Sequence, residues 1–156
     1  MSVLAKLRHG WRRLARGADG AVSVELGVTI SLLTALVIPM VDIGMGAYTQ
    51  MQVQNAAQAG AEYAAVSGWN SANVSTAVTG ATGLSSISAS PAPAETCGCI
   101  TSGSITTVTC GSTCASGDTA GTFVTVNAKA QYTTLFNYPG LTSPMNLTAQ
   151  STVRIK

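Results

Sequence analysis

Hydrophobic and polar positions divide the 156-residue chain into unlike stretches. The first twenty residues are basic, and residues 21–41, AVSVELGVTISLLTALVIPMV, form an apolar run whose only charge is Glu25. At 1.5 Å per residue this run is about 31 Å long as a helix, close to the hydrocarbon thickness of a bilayer. It predicts a transmembrane helix over 21–42, with Asp42 at the water boundary. Thr29, Ser31 and Thr34 are compatible with lipid because their hydroxyls can bond back to carbonyls of their own helix. Pro39 removes one backbone donor and predicts a kink. A secretory signal would have a shorter apolar stretch and a small-x-small cleavage site, whereas this run ends in Pro39-Met40-Val41-Asp42.

Residues 45–66 lack proline and are rich in Ala and Gln, which favours helix, so the spine is expected to continue over 43–67. Unbroken from residue 21, it would be about 70 Å long. Met45, Tyr48, Val53, Ala56, Ala57, Gly60 and Ala64 recur at three- or four-residue spacing on one face, with Gln50, Gln54, Gln58 and Glu62 opposite. A stripe of small residues admits close approach of another helix. It can serve as a packing face for other subunits or lie against the chain's own C-terminal domain, and periodicity leaves both readings open.

Residues 67–121 are rich in Ser, Thr, Gly and Ala, with Pro91 and Pro93 marking an extended, turn-prone stretch and a short helix expected over 71–78. Strict alternation then returns. Val124, Val126, Ala128, Ala130 and Tyr132 alternate with polar residues, as do Met145, Leu147, Ala149, Val153 and Ile155, so strands are predicted over 124–134 and 145–156. Asn137-Tyr138-Pro139-Gly140 supplies turn chemistry between them. An antiparallel pair follows, extended by a third strand near 105–110. The fold class is therefore α+β, a long N-terminal helix followed by a small antiparallel-sheet domain over 68–156.

Composition narrows the setting. Only 9% of residues are charged and 5% aromatic against 46% hydrophobic, while an ordinary soluble domain carries roughly 25% charge. Disorder is disfavoured too, because that class combines low hydrophobicity with high net charge. A membrane-associated or secreted protein remains. The net charge of +2 hides a division. Lys6, Arg8, Arg12, Arg13 and Arg16 against Asp19 give residues 1–20 a net +4. Lys129, Arg154 and Lys156 against Glu25, Asp42, Glu62, Glu95 and Asp118 give the remainder −2. No basic face extends beyond residue 20, so nucleic acid is not an expected partner. Positive charge before the span places the N-terminus in the cytoplasm and the C-terminal domain outside.

Cys97, Cys99, Cys110 and Cys114 lie on that outer side, where oxidising conditions favour disulfides. Four cysteines allow three pairings. If 96–101 and 105–110 form a hairpin, the nested pairing Cys97–Cys114 with Cys99–Cys110 closes it most naturally. A zinc site is the rival, but C-x-C with C-x3-C departs from the usual C-x2-C spacing. No catalytic constellation, cofactor motif or metal cluster is visible. The sole histidine, His9, lies in the basic leader, and Glu62, Glu95 and Asp118 are far apart.

Glu25 is out of place in a plain anchor, since an unpaired carboxylate in lipid costs several kcal/mol. A cut after Gly20 would free an α-amino group at Ala21, four residues from Glu25 and suited to neutralise it. A short basic leader ending in Gly20, four small or apolar residues, Glu25 and an apolar helix resemble the type III signal of type IV pilin-like proteins. Residues 17–66, with Pro39 late in the span and an Ala-rich close, are similar to TadE-like proteins, the pseudopilins of tight-adherence (Flp) pilus systems. Leu26 stands where many relatives carry an aromatic residue.

The resemblance implies a pilin-like fold and a non-enzymatic minor pseudopilin. It would be cut between Gly20 and Ala21 by a prepilin peptidase and used to assemble a tight-adherence pilus for surface attachment. It further implies Glu25 as the assembly carboxylate, with the lipid bilayer, other pilin or pseudopilin subunits and the inner-membrane assembly platform as partners. The expected location is the bacterial inner membrane, single-pass, with a periplasmic C-terminal domain that can enter the pilus. The alternative is an uncleaved single-pass anchor or scaffold of the same machinery. A membrane-tethered periplasmic enzyme is disfavoured by the lack of histidine beyond the leader.

Overall fold

A computed structural model describes residues 18–136 and 142–156. The leader with His9, and the turn expected at Asn137–Gly140, lie outside the described residues. The chain divides into two units, Met1–Ile43 and Gly44–Lys156. One helix, α1 (Ala18–Ser67), supplies every described residue of the first unit and opens the second.

In the first unit α1 is apolar on all sides. Its span candidate has a mean hydropathy of 2.1, and none of the most apolar window is buried by protein. Such a helix is stable only where its surface is covered by something other than water. Its hydroxyls are satisfied internally: Thr29 Oγ1 donates to the Glu25 carbonyl, Ser31 Oγ to that of Gly27, and Thr34 Oγ1 to that of Ile30, each at 2.8 Å. Pro39 lies inside the helix. Asp42, expected at the water boundary, is buried by protein, with 2% of its surface exposed.

In the second unit α1 ends at Ser67, followed by Gly68 with φ of 86°, the left-handed position that closes helices and that glycine adopts without strain. Helix α2 (Ser71–Gly80) follows, two residues longer than expected. Asn70 caps it, its side-chain Oδ1 accepting from the Asn73 amide at 3.0 Å. Four strands complete the unit: β1 (Ala94–Thr101), β2 (Ser104–Thr107), β3 (Gly121–Tyr132) and β4 (Met145–Arg154). Their order is β2-β1-β3-β4, with antiparallel neighbours throughout. Ser102 (φ 51°) and Gly103 (φ 81°) form the two-residue turn of the β1–β2 hairpin, whose twist matches that of the flanking strands.

The alternation read in the sequence becomes the two faces of the sheet. Val124, Val126, Ala128 and Ala130 of β3 are essentially fully buried, packed with Val53, Ala56, Ala57, Ala61 and Ala64 of α1 and Val74 and Val78 of α2. On β4, Leu147, Ala149 and Val153 extend this core toward the sheet edge. The opposite face buries Phe123 at its Gly121 end and is otherwise polar along β3, with Thr125 bonded to Thr152 at 3.1 Å and Gln131 Nε2 donating to Asn146 Oδ1 at 3.3 Å. Gln50 ties α1 to the β4 edge by donating from Nε2 to the Thr148 carbonyl at 3.0 Å.

A core of valine and alanine must be thin to be tight, and Gly60 lets it be so. A Cβ built there would lie 2.5 Å from Val78 Cγ2 and 2.8 Å from Val126 Cγ1, where carbon atoms normally rest about 3.5–4.0 Å apart. The helix thus rests on the second helix and the sheet through bare backbone.

Candidate functional site

Gly20 and Ala21 are residues of α1 in the first unit, so the predicted cleavage bond lies within helix. Glycine weakens a helix interior by roughly 1 kcal/mol relative to alanine, which lowers the cost of opening the helix locally at this bond. Glu25 is exposed. One helical turn separates it from Ala21, the spacing at which side chains on a helix are neighbours. Around it the surface is aliphatic: Val22, Val24, Leu26 and Val28 are each more than half exposed. A carboxylate in such surroundings is held by a positive partner or not tolerated.

The seven-residue stripe is split by the fold. Val53, Ala56, Ala57, Gly60 and Ala64 are buried in the core of the second unit, under its own sheet and α2. In this arrangement they are already occupied, and the reading that the helix lies against its own domain holds at these five positions. Met45 and Tyr48 remain about half exposed, as does Met51, which the stripe omitted. Ala61 is also buried and was missed. Tertiary contact from α2 and β3 widens the inward arc beyond the strict three-and-four spacing.

Both disulfides form, but not in the expected pairing. The structure joins Cys97 to Cys110 and Cys99 to Cys114, with Cα separations of 5.0 and 5.6 Å. The nested pairing Cys97–Cys114 and Cys99–Cys110 is therefore corrected. The cause is register. The tight Ser102–Gly103 turn places Cys99 opposite Thr106, and β2 ends at Thr107 instead of reaching Cys110. The Val108 amide still donates to the Cys97 carbonyl at 2.9 Å, after which Thr109–Ser112 turns. Cys110 consequently arrives at the Cys97 level. The chain then doubles back through the Thr113–Thr119 bridge, with the Cys114 amide donating to the Asp118 carbonyl at 2.7 Å. That return carries Cys114 to Cys99.

A cleft of about 560 Å³ lies beside the second bridge, lined by Gly98, Cys99, Asp118, Phe123 and Arg154 among others. The Arg154 Nε–H donates to the Lys156 carbonyl at 2.8 Å, and Ser116 Oγ to Asp118 Oδ2 at 3.0 Å. These contacts fold the chain end and the loop on themselves. Among the described residues no group of three or more His, Cys, Asp or Glu gathers as a metal site.

An apolar helix without protein cover, whose continuation becomes the core of a disulfide-stapled helix-on-sheet unit, defines an α+β protein with a long N-terminal apolar helix. Residues 20–62 match the family model described as TadE-like protein, the stretch in which Gly20, Glu25 and Pro39 carry the resemblance. Neither the curated proteins nor the solved structures contain a match to the chain. The sheet and its bridges lie beyond the matched stretch. TadE-like proteins are components of tight-adherence pilus systems, structural rather than catalytic, and the one helix among the described residues that is long and apolar enough to cross a membrane is compatible with a single-pass anchor.

Proposed function

We propose that the chain is a minor pseudopilin of a tight-adherence pilus, made as an inner-membrane precursor and cut by a prepilin peptidase between Gly20 and Ala21. The observation that carries this reading is the coincidence of three boundaries. The basic leader ends, the apolar helix begins and the family match begins all at residue 20. Glycine offers the peptidase an unhindered bond in a weak part of the helix. The α-amino group released at Ala21 then neutralises the Glu25 carboxylate, in the same subunit or a neighbour, so that the helix can pack among other pilin helices in lipid.

Within this reading the first unit is the assembly element and the second is the domain displayed outside the membrane. The structure lends support by leaving the first unit's apolar surface uncovered, whereas the stripe further along is occupied by the chain's own sheet. Contact with other subunits therefore falls to residues 21–43 and the half-exposed Met45 and Tyr48.

N-terminal sequencing of protein extracted from membranes tests the assignment. Ala21 as first residue supports it, and Met1 or Ser2 identifies an uncleaved anchor. Gly20→Val should accumulate a species heavier by the leader; normal processing of that variant would refute the cleavage site.

A further inference from the structure

The second unit has two unlike ends. Strand β3 runs from Gly121 to Tyr132, about 40 Å at the usual rise, and β4 returns alongside it from Met145, opposite Tyr132, to Arg154, opposite Phe123. The disulfides lie at the Gly121 end, where Gly98 pairs with Gly121. At the other end lies the entry of α1. A Cβ on Gly46 would touch the Tyr132 ring at 3.5 Å and Met145 Cε at 3.9 Å. Ile43 and Gly44 are joined by one peptide bond, so this is the end at which the chain leaves its apolar span.

Charge is distributed between these ends unevenly. No Asp, Glu, Lys or Arg occurs from Gly44 to Ala61 or from Ala130 to Val153. The six charged residues of the unit are Glu62, Glu95, Asp118, Lys129, Arg154 and Lys156. Of these, only Lys129, three residues before Tyr132, approaches the α1-entry end. That same end exposes large apolar side chains: Met45, Tyr48 and Met51 on α1, and consecutive Leu135 and Phe136 just after β3, the first of the pair 67% exposed. Among the described residues of the unit, the other large exposed apolar ones are Val66 at the end of α1, and Ile100 and Ile105, which face each other across the β1–β2 hairpin.

From this polarity we infer that the α1-entry end of the unit is a membrane-contact surface, with Leu135, Phe136, Tyr48 and Met45 seated at the headgroup–acyl boundary. Amphipathic rings and aliphatic chains are stable at that depth, whereas carboxylates are repelled by anionic headgroups. Lipid is the occupant favoured over a second subunit because the patch is continuous in the chain with the span, and because Asp42, the one acid of α1 near that end, is buried and so leaves its exposed surface without a carboxylate. The inference rests on the reading that residues 21–42 span the bilayer. It adds that the folded unit lies on the membrane before assembly, so extraction into a fibre must uncover this patch or hand it to a neighbouring subunit.

The full chain, carrying Trp11→Phe and Trp69→Phe, is reconstituted into phosphatidylcholine–phosphatidylglycerol vesicles, with a single tryptophan introduced by Phe136→Trp, Ile100→Trp or Leu32→Trp. Both bridges are confirmed intact by mass before measurement. Lipids brominated near the carbonyl end of their acyl chains should quench the Phe136→Trp emission and leave Ile100→Trp unquenched. Phe136→Trp should also emit to the blue of Ile100→Trp. Lipids brominated near the chain ends should quench Leu32→Trp. Equal quenching of Phe136→Trp and Ile100→Trp, with Leu32→Trp deeply quenched, overturns the inference and leaves the span intact. A blue-shifted but unquenched Phe136→Trp overturns it in favour of protein cover. Loss of quenching at Leu32→Trp removes the span itself and the inference with it.

Discussion

Replacing Gly60 by alanine places a methyl group where α1 meets α2 and the sheet. Its Cβ would stand 2.5 Å from Val78 Cγ2 and 2.8 Å from Val126 Cγ1, closer by about 1 Å and 0.7 Å than the nearest comfortable carbon separation. Val78 and Val126 are both fully buried, and a β-branched side chain has little rotamer freedom with which to yield. The helix must therefore lift. Overpacking costs about 1–3 kcal/mol, and two clashes against fully buried side chains place this one in the upper half, about 2–3 kcal/mol, of which the better helix propensity of alanine returns about 1 kcal/mol. A net loss of about 1–2 kcal/mol is expected, which for a unit of this size corresponds to a fall of about 4–8 °C in melting temperature. The assay is thermal unfolding of the full chain in detergent with both bridges intact, followed by near-ultraviolet circular dichroism, which reports the packing of Tyr63, Trp69 and Phe123. Gly80→Ala is the control, because nothing lies within 4 Å of a Cβ there, and it should be neutral or slightly stabilising. Val78→Ala removes the nearer clash, so the double variant should lose less than the two single losses together. A melting temperature for Gly60→Ala at or above that of the parent would refute the close-approach argument.

Two further outcomes follow from the second unit. Cys97→Ser should leave one free thiol, and alkylation followed by peptide mapping should find it at Cys110; label at Cys114 would restore the nested pairing. Asn70→Ala removes the cap that accepts from the Asn73 amide and should cost about 1 kcal/mol, while Asn70→Asp, which retains an acceptor at that position, should cost little. Thermal unfolding distinguishes the two, and equal losses would show that the cap contributes nothing.

What could be read from the chain alone was whatever depends on local pattern. An uninterrupted apolar run as long as a bilayer is thick, a basic leader before it and a Gly20–Glu25 spacing at their junction are linear features, and they carried the family resemblance that the match over 20–62 supports. Period-two alternation likewise foretold β3 and β4, because in a sheet packed on one side each residue's neighbours are decided by parity. Helix α2, expected over 71–78, belongs to the same class of local signal.

The tertiary structure decided what depends on where distant residues meet. The small-residue stripe of α1 is equally suited to a foreign helix and to the chain's own sheet, and only the position of β3 and α2 over Val53, Ala57 and Gly60 assigns it to the latter. Disulfide pairing turned on a two-residue turn that set Cys99 opposite Thr106, a register that cysteine spacing alone does not specify. Composition showed that charge is scarce. Only the strand order and the approach of Gly46 to Tyr132 revealed that most of it is gathered away from one end of a folded unit. Sequence fixes neighbours along the chain, whereas a surface is made by residues that the chain brings together from far apart.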